Sequence, residues 1–85
     1  MYRVYLESGA ERDLRQLSPE RFAQIIAKIG ALAHNPRPPG CRKIVGCAND
    51  WRIRVGAYRV IYEIDDGRQA VRVMAVRHRP RAYRP

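Results

Sequence analysis

The segment Trp51-Arg-Ile-Arg-Val-Gly-Ala-Tyr-Arg-Val-Ile-Tyr-Glu-Ile64 decides how this chain folds. Apolar and polar side chains alternate on both sides of Gly56-Ala57, and a period of two is typical of strands that bury one face. A tight turn at Gly56-Ala57 therefore predicts an antiparallel hairpin whose apolar faces coincide. The opposite face of that hairpin would carry Arg52, Arg54 and Arg59.

These three arginines predict an anion-binding site. A guanidinium is planar and can donate two parallel hydrogen bonds to a phosphate, so several of them on a rigid sheet form a strong phosphate site. The alternative is an ordinary exposed face on which the arginines are solvated, since charged side chains usually face water. The rest of the chain favours the anion-binding site.

Length and composition indicate one globular domain over residues 1–85. The chain is long enough for a single core, and 46% hydrophobic with 29% charged residues is typical of a folded protein rather than a disordered one. No apolar run is long enough to span a bilayer, and the N-terminus lacks the pattern of a signal peptide. These features predict a cytoplasmic protein.

The net charge of +9 is concentrated in the second half of the chain. Residues 1–35 contain five basic and four acidic side chains, whereas residues 36–85 contain twelve basic and four acidic ones. Of the seventeen cations, only Lys28 and Lys43 are lysines. This asymmetry predicts a polyanionic partner, most commonly nucleic acid, although an acidic protein would neutralise the same surface.

The two cysteines do not form a recognisable metal or redox motif. Five residues separate Cys41 from Cys47, which fits neither a CxxC motif nor a zinc knuckle. We expect two ordinary thiols, and the alternative is a disulfide within the loop. The sequence therefore predicts no metal site and no cofactor.

Two helices are predicted in the first half. Ser8 and Glu11 have the spacing of a capping box, which predicts the start of a short helix. Ser18-Pro19 predicts the start of a second one, because proline at the first helical position loses only an amide that has no partner. Apolar residues then recur with helical spacing until Asn35-Pro36, where the proline should end the helix.

Strands are predicted on both sides of the helices. Residues 1–6 form the first, the hairpin provides two more, and residues 70–76 form a last strand that is apolar on both faces, as a central strand would be. Residues 41–46 begin a further candidate strand. The order βααβββ predicts an α+β fold, in which an antiparallel sheet carries the two N-terminal helices on one face.

The C-terminal tail supplies further candidate site residues. If the tail folds back across the basic face, Arg79 and Tyr83 join the sheet arginines. Such a site could hold an RNA phosphodiester and stabilise its pentacoordinate transition state, while the RNA supplies its own 2′-hydroxyl nucleophile. Tyr83 could act as the base if nearby arginines favour its phenolate. No carboxylate pair, glycine-rich phosphate loop or Ser/His/Asp arrangement points to another chemistry.

Four stretches resemble the RelE/ParE superfamily, the toxins of type II toxin–antitoxin modules. They are A-x-x-D-L-x-x-L (10–17), L-x-x-N-P-R-P (32–38), R-I-R-V-G-x-Y-R-V-I-Y-E-I (52–64) and H-R-x-x-x-Y (78–83). The third is the most specific and resembles the RelE branch. The resemblance implies a fold related to microbial ribonucleases and a metal-independent mRNA endoribonuclease, an mRNA interferase. Such an enzyme acts in the ribosomal A site and leaves a 2′,3′-cyclic phosphate.

The resemblance also implies catalytic roles. Arg59 resembles the arginine that stabilises the transition state. Arg52 and Arg54 stand where relatives often have lysines that hold the phosphate or activate the nucleophile. Arg79 matches the arginine proposed as leaving-group acid, and Tyr83 matches the tyrosine proposed as base. We further expect RNA to be bound by the basic residues around this centre, which are Arg42, Lys43, Arg77, His78 and Arg81.

Partners follow from the same resemblance. It implies a small cognate antitoxin (RelB-like), with an acidic or amphipathic segment, that forms a hetero-oligomer with the toxin, and it implies mRNA and the ribosome as targets. Two alternatives exist on the same fold. One is a ParE-like inhibitor of DNA gyrase, for which the Arg/Tyr cluster would be dispensable. The other is an inactive relative that only binds its antitoxin.

Overall fold

A computed structural model of the protein describes residues 1–78. Its elements, in chain order, are β1 (Arg3–Leu6), α1 (Ser8–Arg15), α2 (Pro19–Ala31), β2 (Arg42–Lys43), β3 (Asp50–Val55), β4 (Tyr58–Asp65) and β5 (Ala70–His78). The five strands form one sheet in the order β1-β5-β4-β3-β2. Neighbouring strands are antiparallel, except that β1 runs parallel to β5.

The predicted hairpin consists of β3 and β4. Val55 pairs with Tyr58, so Gly56 and Ala57 are the two-residue loop between the strands. Gly56 has a φ of 60°. A positive φ at the first position of such a loop favours glycine, which has no Cβ to clash with the backbone. The hairpin prediction is confirmed, including the position of its turn.

The core lies on one face of the sheet and both helices cover it. Buried side chains of β3, β4 and β5 form a single cluster with Ala10 and Leu14 of α1 and with Ile25 and Ile29 of α2. Because the two helices contribute to the same cluster, they pack on the same face. The prediction of an α+β fold with two N-terminal helices on one side of the sheet is confirmed.

The sheet differs from the predicted one in two details. The short strand β2 lies within the candidate strand of residues 41–46 and adds a fifth strand beside β3, so that the order is βααββββ rather than the predicted βααβββ. Two residues are too few to display an alternating pattern. In addition, β1 is parallel to its neighbour. Alternation reveals which face a side chain occupies, but it carries no information about strand direction.

The helix boundaries are set by local hydrogen bonds. Ser18 caps α2 as predicted, because its hydroxyl accepts from the Arg21 amide at 3.3 Å. The predicted capping box of α1 is wrong: Glu7 is the N-cap residue, without a side-chain capping bond, and Ser8 is already helical. α2 ends at Ala31, four residues before Asn35, and the amides of the following residues bond carbonyls three positions back.

Two further expectations concern the thiols and membranes. Cys41 and Cys47 are free thiols, as expected. Within the described part of the chain, no helix combines the length and apolar character needed to cross a membrane.

Candidate functional site

The sheet face turned away from the helices carries a row of three arginines. Side chains of paired residues on neighbouring strands share a face, and the register pairs Arg54 with Arg59 and Arg59 with Arg77. Directly opposed Cα atoms lie about 4.5–5.5 Å apart. Val60, next to Arg59 along the strand, is in the core, so the arginines are on the opposite side.

A second row of side chains on the same face lies two residues farther from the hairpin turn and contains two more arginines. Arg52 pairs with Arg42 of β2 on one side and with Ile61 of β4 on the other. The fifth strand, which lies within the candidate strand of residues 41–46, therefore adds a cation to the same surface. We call this surface the arginine face, and it comprises Arg42, Arg52, Arg54, Arg59 and Arg77.

Arg59 is the centre of the arginine face. It is the one buried charged side chain within residues 1–78, with 4% exposed, whereas Arg52 is half-buried and Arg54 is exposed. An arginine stays protonated under all relevant conditions, and charge–charge interactions strengthen away from water. A phosphate that reaches Arg59 is therefore held more strongly than one bound by an exposed arginine.

Asp13 of α1 brings one negative charge to the rim of the face. Its carboxylate accepts from the Val76 amide at 2.9 Å, on the stretch of β5 beyond the end of β1. The same oxygen lies 3.9 Å from the Arg77 Nε. This pair orients Arg77 towards α1. Arg77 consequently lies at the edge of the face rather than at its centre.

The structure separates two predicted RNA-binding residues from the arginine face. Lys43 pairs with Trp51, and His78 pairs with Tyr58, on the side of the sheet that the helices cover. The His78 ring contacts Tyr58 edge-on, with centroids 5.1 Å apart and an interplanar angle of 88°. Three other predicted site residues lie outside the described residues, and their roles stay predictions: Arg79, Arg81 and Tyr83.

A groove of about 430 Å³ runs between α2 and the edge of the sheet. Its cationic lining comprises Lys28, Arg42, Arg52 and Arg54, and its apolar lining includes Leu32 and Ile53. We call it the basic groove. Lys28 was missed because a single lysine on a helix surface carries no sequence signal. The sequence offered one indication of this role: Lys28 lies in the last turn of α2, and the helix is followed by a loop with three prolines.

A polar cluster fixes the loop that forms one wall of this groove. The Arg37 guanidinium donates to both carboxylate oxygens of Asp66, at 3.2 and 2.8 Å, and lies over the Trp51 ring at 5.0 Å. The Tyr2 hydroxyl donates to Asp66 at 2.6 Å. These hydrogen bonds, chiefly the one from Arg37, lower the pKa of Asp66 to about 2. We call these four residues the Asp66 cluster.

The chemistry available on the arginine face is electrostatic. Its guanidiniums can bind an anion and stabilise additional negative charge on it. Within residues 1–78, no three side chains of the His, Cys, Asp and Glu types form a group that could hold a metal ion.

Comparison with known proteins identifies the family. A family model described as the ParE toxin of the type II toxin–antitoxin system parDE matches residues 4–83. The chain is 33% identical to toxin RelG of Mycobacterium tuberculosis over 84 residues, which covers 98% of this chain and 97% of RelG. It is also 34% identical to toxin RelE of the same organism over 85 residues, which covers 98% of this chain and 87% of that toxin.

Solved structures agree with these relatives. The toxin–antitoxin complex RelBE2 from Mycobacterium tuberculosis matches with a TM-score of 0.80 and 31% identity, over 92% of this chain and 98% of that one. The archaeal RelE–RelB complex from Pyrococcus horikoshii matches with a TM-score of 0.83 and 24% identity, over 94% of this chain and 97% of that one. At this identity it supports the fold alone. This chain therefore belongs to the RelE/ParE superfamily of type II toxin–antitoxin toxins.

Proposed function

We propose that this toxin is an endoribonuclease that cleaves mRNA in association with the ribosome. The row of Arg54, Arg59 and Arg77 on the face that the helices leave uncovered is the observation that carries the proposal. Support also comes from the relatives named RelE and RelG, at 34% and 33% identity. The resemblance of residues 52–64 to the RelE branch points to the same activity.

In the proposed reaction, the 2′-hydroxyl oxygen of the RNA attacks the adjacent phosphorus, and the bond to the next nucleotide's 5′-oxygen breaks. The products are a 2′,3′-cyclic phosphate and a free 5′-hydroxyl. Negative charge on the phosphoryl oxygens increases in the transition state, so fixed donors lower the barrier. Arg59 stabilises this charge, and Arg52 and Arg54 hold the phosphate.

Two proton transfers complete the reaction. The 2′-hydroxyl must lose its proton as the new bond forms, and the leaving oxygen must gain one as the old bond breaks. The family resemblance assigns the first role to Tyr83 and the second to Arg79. Neighbouring cations would favour the phenolate that a tyrosine base requires.

We also propose that a small antitoxin with an acidic or amphipathic segment binds this toxin. The RelBE2 structure of Mycobacterium tuberculosis, which is 31% identical to this chain, is a toxin–antitoxin complex and supports this proposal. The arginine face offers the charge complementarity that an acidic segment would use.

Inhibition of DNA gyrase is the second candidate function. The matching family model carries the ParE description, which favours it. A gyrase inhibitor acts by binding a protein and needs no RNA chemistry. The arginine face would then be dispensable for toxicity.

Expression in the absence of an antitoxin tests both candidates. The nuclease proposal predicts growth arrest with cuts in mRNA, and Arg59→Ala should reduce cleavage about 10²–10³-fold, as loss of one transition-state donor typically does. Arg79→Ala should also abolish arrest, whereas Arg12→Ala, an exposed cation of α1, should retain it. Arrest with DNA damage, intact mRNA and no sensitivity to Arg59→Ala would support gyrase inhibition. Absence of arrest by folded protein would contradict both.

A further inference from the structure

We propose that the basic groove is a subsite for single-stranded RNA beyond the two nucleotides that the cleaved linkage joins. This inference rests on the proposed ribonuclease activity. Three arginines belong both to the arginine face and to the lining of the groove: Arg42, Arg52 and Arg54. The two surfaces are therefore continuous. A polymer whose linkage is cut on the arginine face must continue beyond it, and the groove provides a path in that direction.

The lining of the groove matches the two parts of a nucleotide. Lys28 adds its charge to those of the three shared arginines, and no acidic residue of the described chain lines the groove. Leu32, Ile53 and Pro38 supply apolar surface. Cations can hold the phosphate, and the apolar surface can hold the faces of the base.

The groove is also large enough to hold a nucleotide, and the fold holds it open. Its volume of about 430 Å³ lies within the range of ~300–1,000 Å³ that small-ligand sites occupy. Two prolines stiffen its loop wall. The loop is attached by the Arg37–Asp66 pair and by the Tyr62 hydroxyl, which donates to the Pro36 carbonyl at 2.7 Å. A preformed wall reduces the ordering cost of binding.

An acidic peptide would also complement the cations, but continuity with the proposed cleavage site favours RNA. Guanidinium planes stack on bases as well as binding phosphates, and four cations beside apolar surface suit a single strand whose bases are unpaired. We therefore assign the groove to single-stranded RNA, with the peptide as an outcome of the test.

The test compares two probes that cannot be cleaved, a 2′-O-methylated hexanucleotide and the corresponding dinucleotide. Dissociation constants are measured for the parent, for Lys28→Glu and Arg42→Glu, and for the control Arg12→Glu, which makes the same charge change on α1. Each groove variant should weaken hexanucleotide binding about tenfold and reduce the slope of log K against log [salt] by about 1. In Lys28→Glu, dinucleotide binding should change less than twofold, as should hexanucleotide binding by the control. Arg42→Glu should also weaken dinucleotide binding, because Arg42 lies on the arginine face as well.

Three results would overturn the subsite. Equal weakening by all three variants would indicate general attraction to a basic protein, and equal weakening of both probes by Lys28→Glu would place the effect outside the groove. Tighter binding of hexaglutamate than of the hexanucleotide, lost in Lys28→Glu, would assign the groove to an acidic protein.

Binding of uncleavable probes also separates this inference from the nuclease proposal. Selective loss of hexanucleotide binding supports the subsite even if the parent cleaves no RNA, in which case only the nuclease proposal fails. Cleavage by the parent, combined with groove variants that bind like the parent, overturns the subsite alone.

Discussion

Two side chains of β4, Arg59 and Tyr62, are buried on opposite sides of the sheet. Tyr62 faces the helices, and its hydroxyl donates to the Pro36 carbonyl at 2.7 Å. Burial raises the pKa of Tyr62, so the phenol stays protonated and continues to donate at neutral pH. Arg59 faces the other way and keeps its charge. The first residue stabilises the fold, whereas the second provides the buried charge that the proposed function assigns to anion binding.

Tyr62→Phe should lower the free energy of unfolding by about 1–3 kcal/mol, because it leaves the buried Pro36 carbonyl without its donor. Urea denaturation at neutral pH measures this loss. Tyr5→Phe is the matched control, since Tyr5 is 47% exposed, and its effect should stay within about 0.5 kcal/mol. Equal stability of the two variants would show that the hydroxyl of Tyr62 contributes nothing.

The sequence predicted which face each hairpin residue occupies, but not how deeply it is buried. Arg52, Arg54 and Arg59 lie on the predicted side because side-chain direction in a strand follows a period of two. The 4% exposure of Arg59 depends on the packing of the whole face. The Arg37–Asp66 pair joins residues 29 positions apart, a distance at which no local pattern operates.

Among the secondary-structure elements, the β3–β4 hairpin contains a turn residue, Gly56, whose backbone conformation favours glycine. Gly56→Ala should lower the free energy of unfolding by about 1–2 kcal/mol, because a Cβ is disfavoured at its φ of 60°. A Cβ there would also lie 3.4 Å from the Arg21 guanidinium. The hairpin carries Arg54 and Arg59, so loss of stability should be accompanied by weaker RNA binding.

Gly30→Ala is the control of opposite sign. Gly30 lies within α2, and a Cβ at this position would meet nothing within 4 Å. Alanine in a helix is favoured over glycine, so this variant should gain about 0.5–1 kcal/mol. Thermal denaturation of both variants measures the difference. A stabilised Gly56→Ala protein would contradict the turn geometry.

Element boundaries were predictable where one local interaction dominates. Ser18-Pro19 marked the start of α2, since a hydroxyl acceptor and a missing amide both suit that position. At α1 the S-x-x-E spacing was misleading, because the chain becomes helical at Ser8 immediately after β1. The strand β2 exists through its pairing with β3 and has too few residues for a pattern of its own.

At the scale of the whole domain, the strand order of the sheet brings basic residues from different strands together on one surface, the candidate site. The sequence placed most of the net charge of +9 in the second half. The arginine face arises because β2, β3, β4 and β5 are neighbours in the sheet, so that arginines from four strands share one surface. Strand order is a property of the assembled sheet, which explains why Arg42 and Arg77 could be proposed as RNA-binding residues but not positioned beforehand.

The hydrogen bonds of the Asp66 cluster connect three distant segments of the domain. Asp66 lies in the turn between β4 and β5, Tyr2 immediately precedes β1, and Arg37 lies in the loop after α2. Tyr2 and Asp66 are 64 positions apart in the sequence. The cluster therefore fixes the first strand and the wall of the basic groove to the same turn. Because the pKa of the Asp66 carboxylate is lowered in the folded protein, the stability of the whole domain should depend on pH.

The pKa of Asp66 is about 2 in the folded protein, below its ordinary value of 3.8, mainly because Arg37 and then Tyr2 donate to the carboxylate. A lowered folded pKa stabilises the protein fully above the unfolded pKa, and this stabilisation is lost as the pH falls from about 4 through about 2. Urea midpoints of the parent should therefore fall more steeply in this interval than those of Asp66→Asn, which should be the less stable protein at pH 6 and approach the parent near pH 2. Arg37→Gln should remove most of the difference in stability between the parent and Asp66→Asn, and Tyr2→Phe should remove a smaller part. Added salt should also reduce this difference, because the Arg37–Asp66 pair is exposed. Parallel pH curves for the parent and Asp66→Asn would show that the cluster does not stabilise the domain.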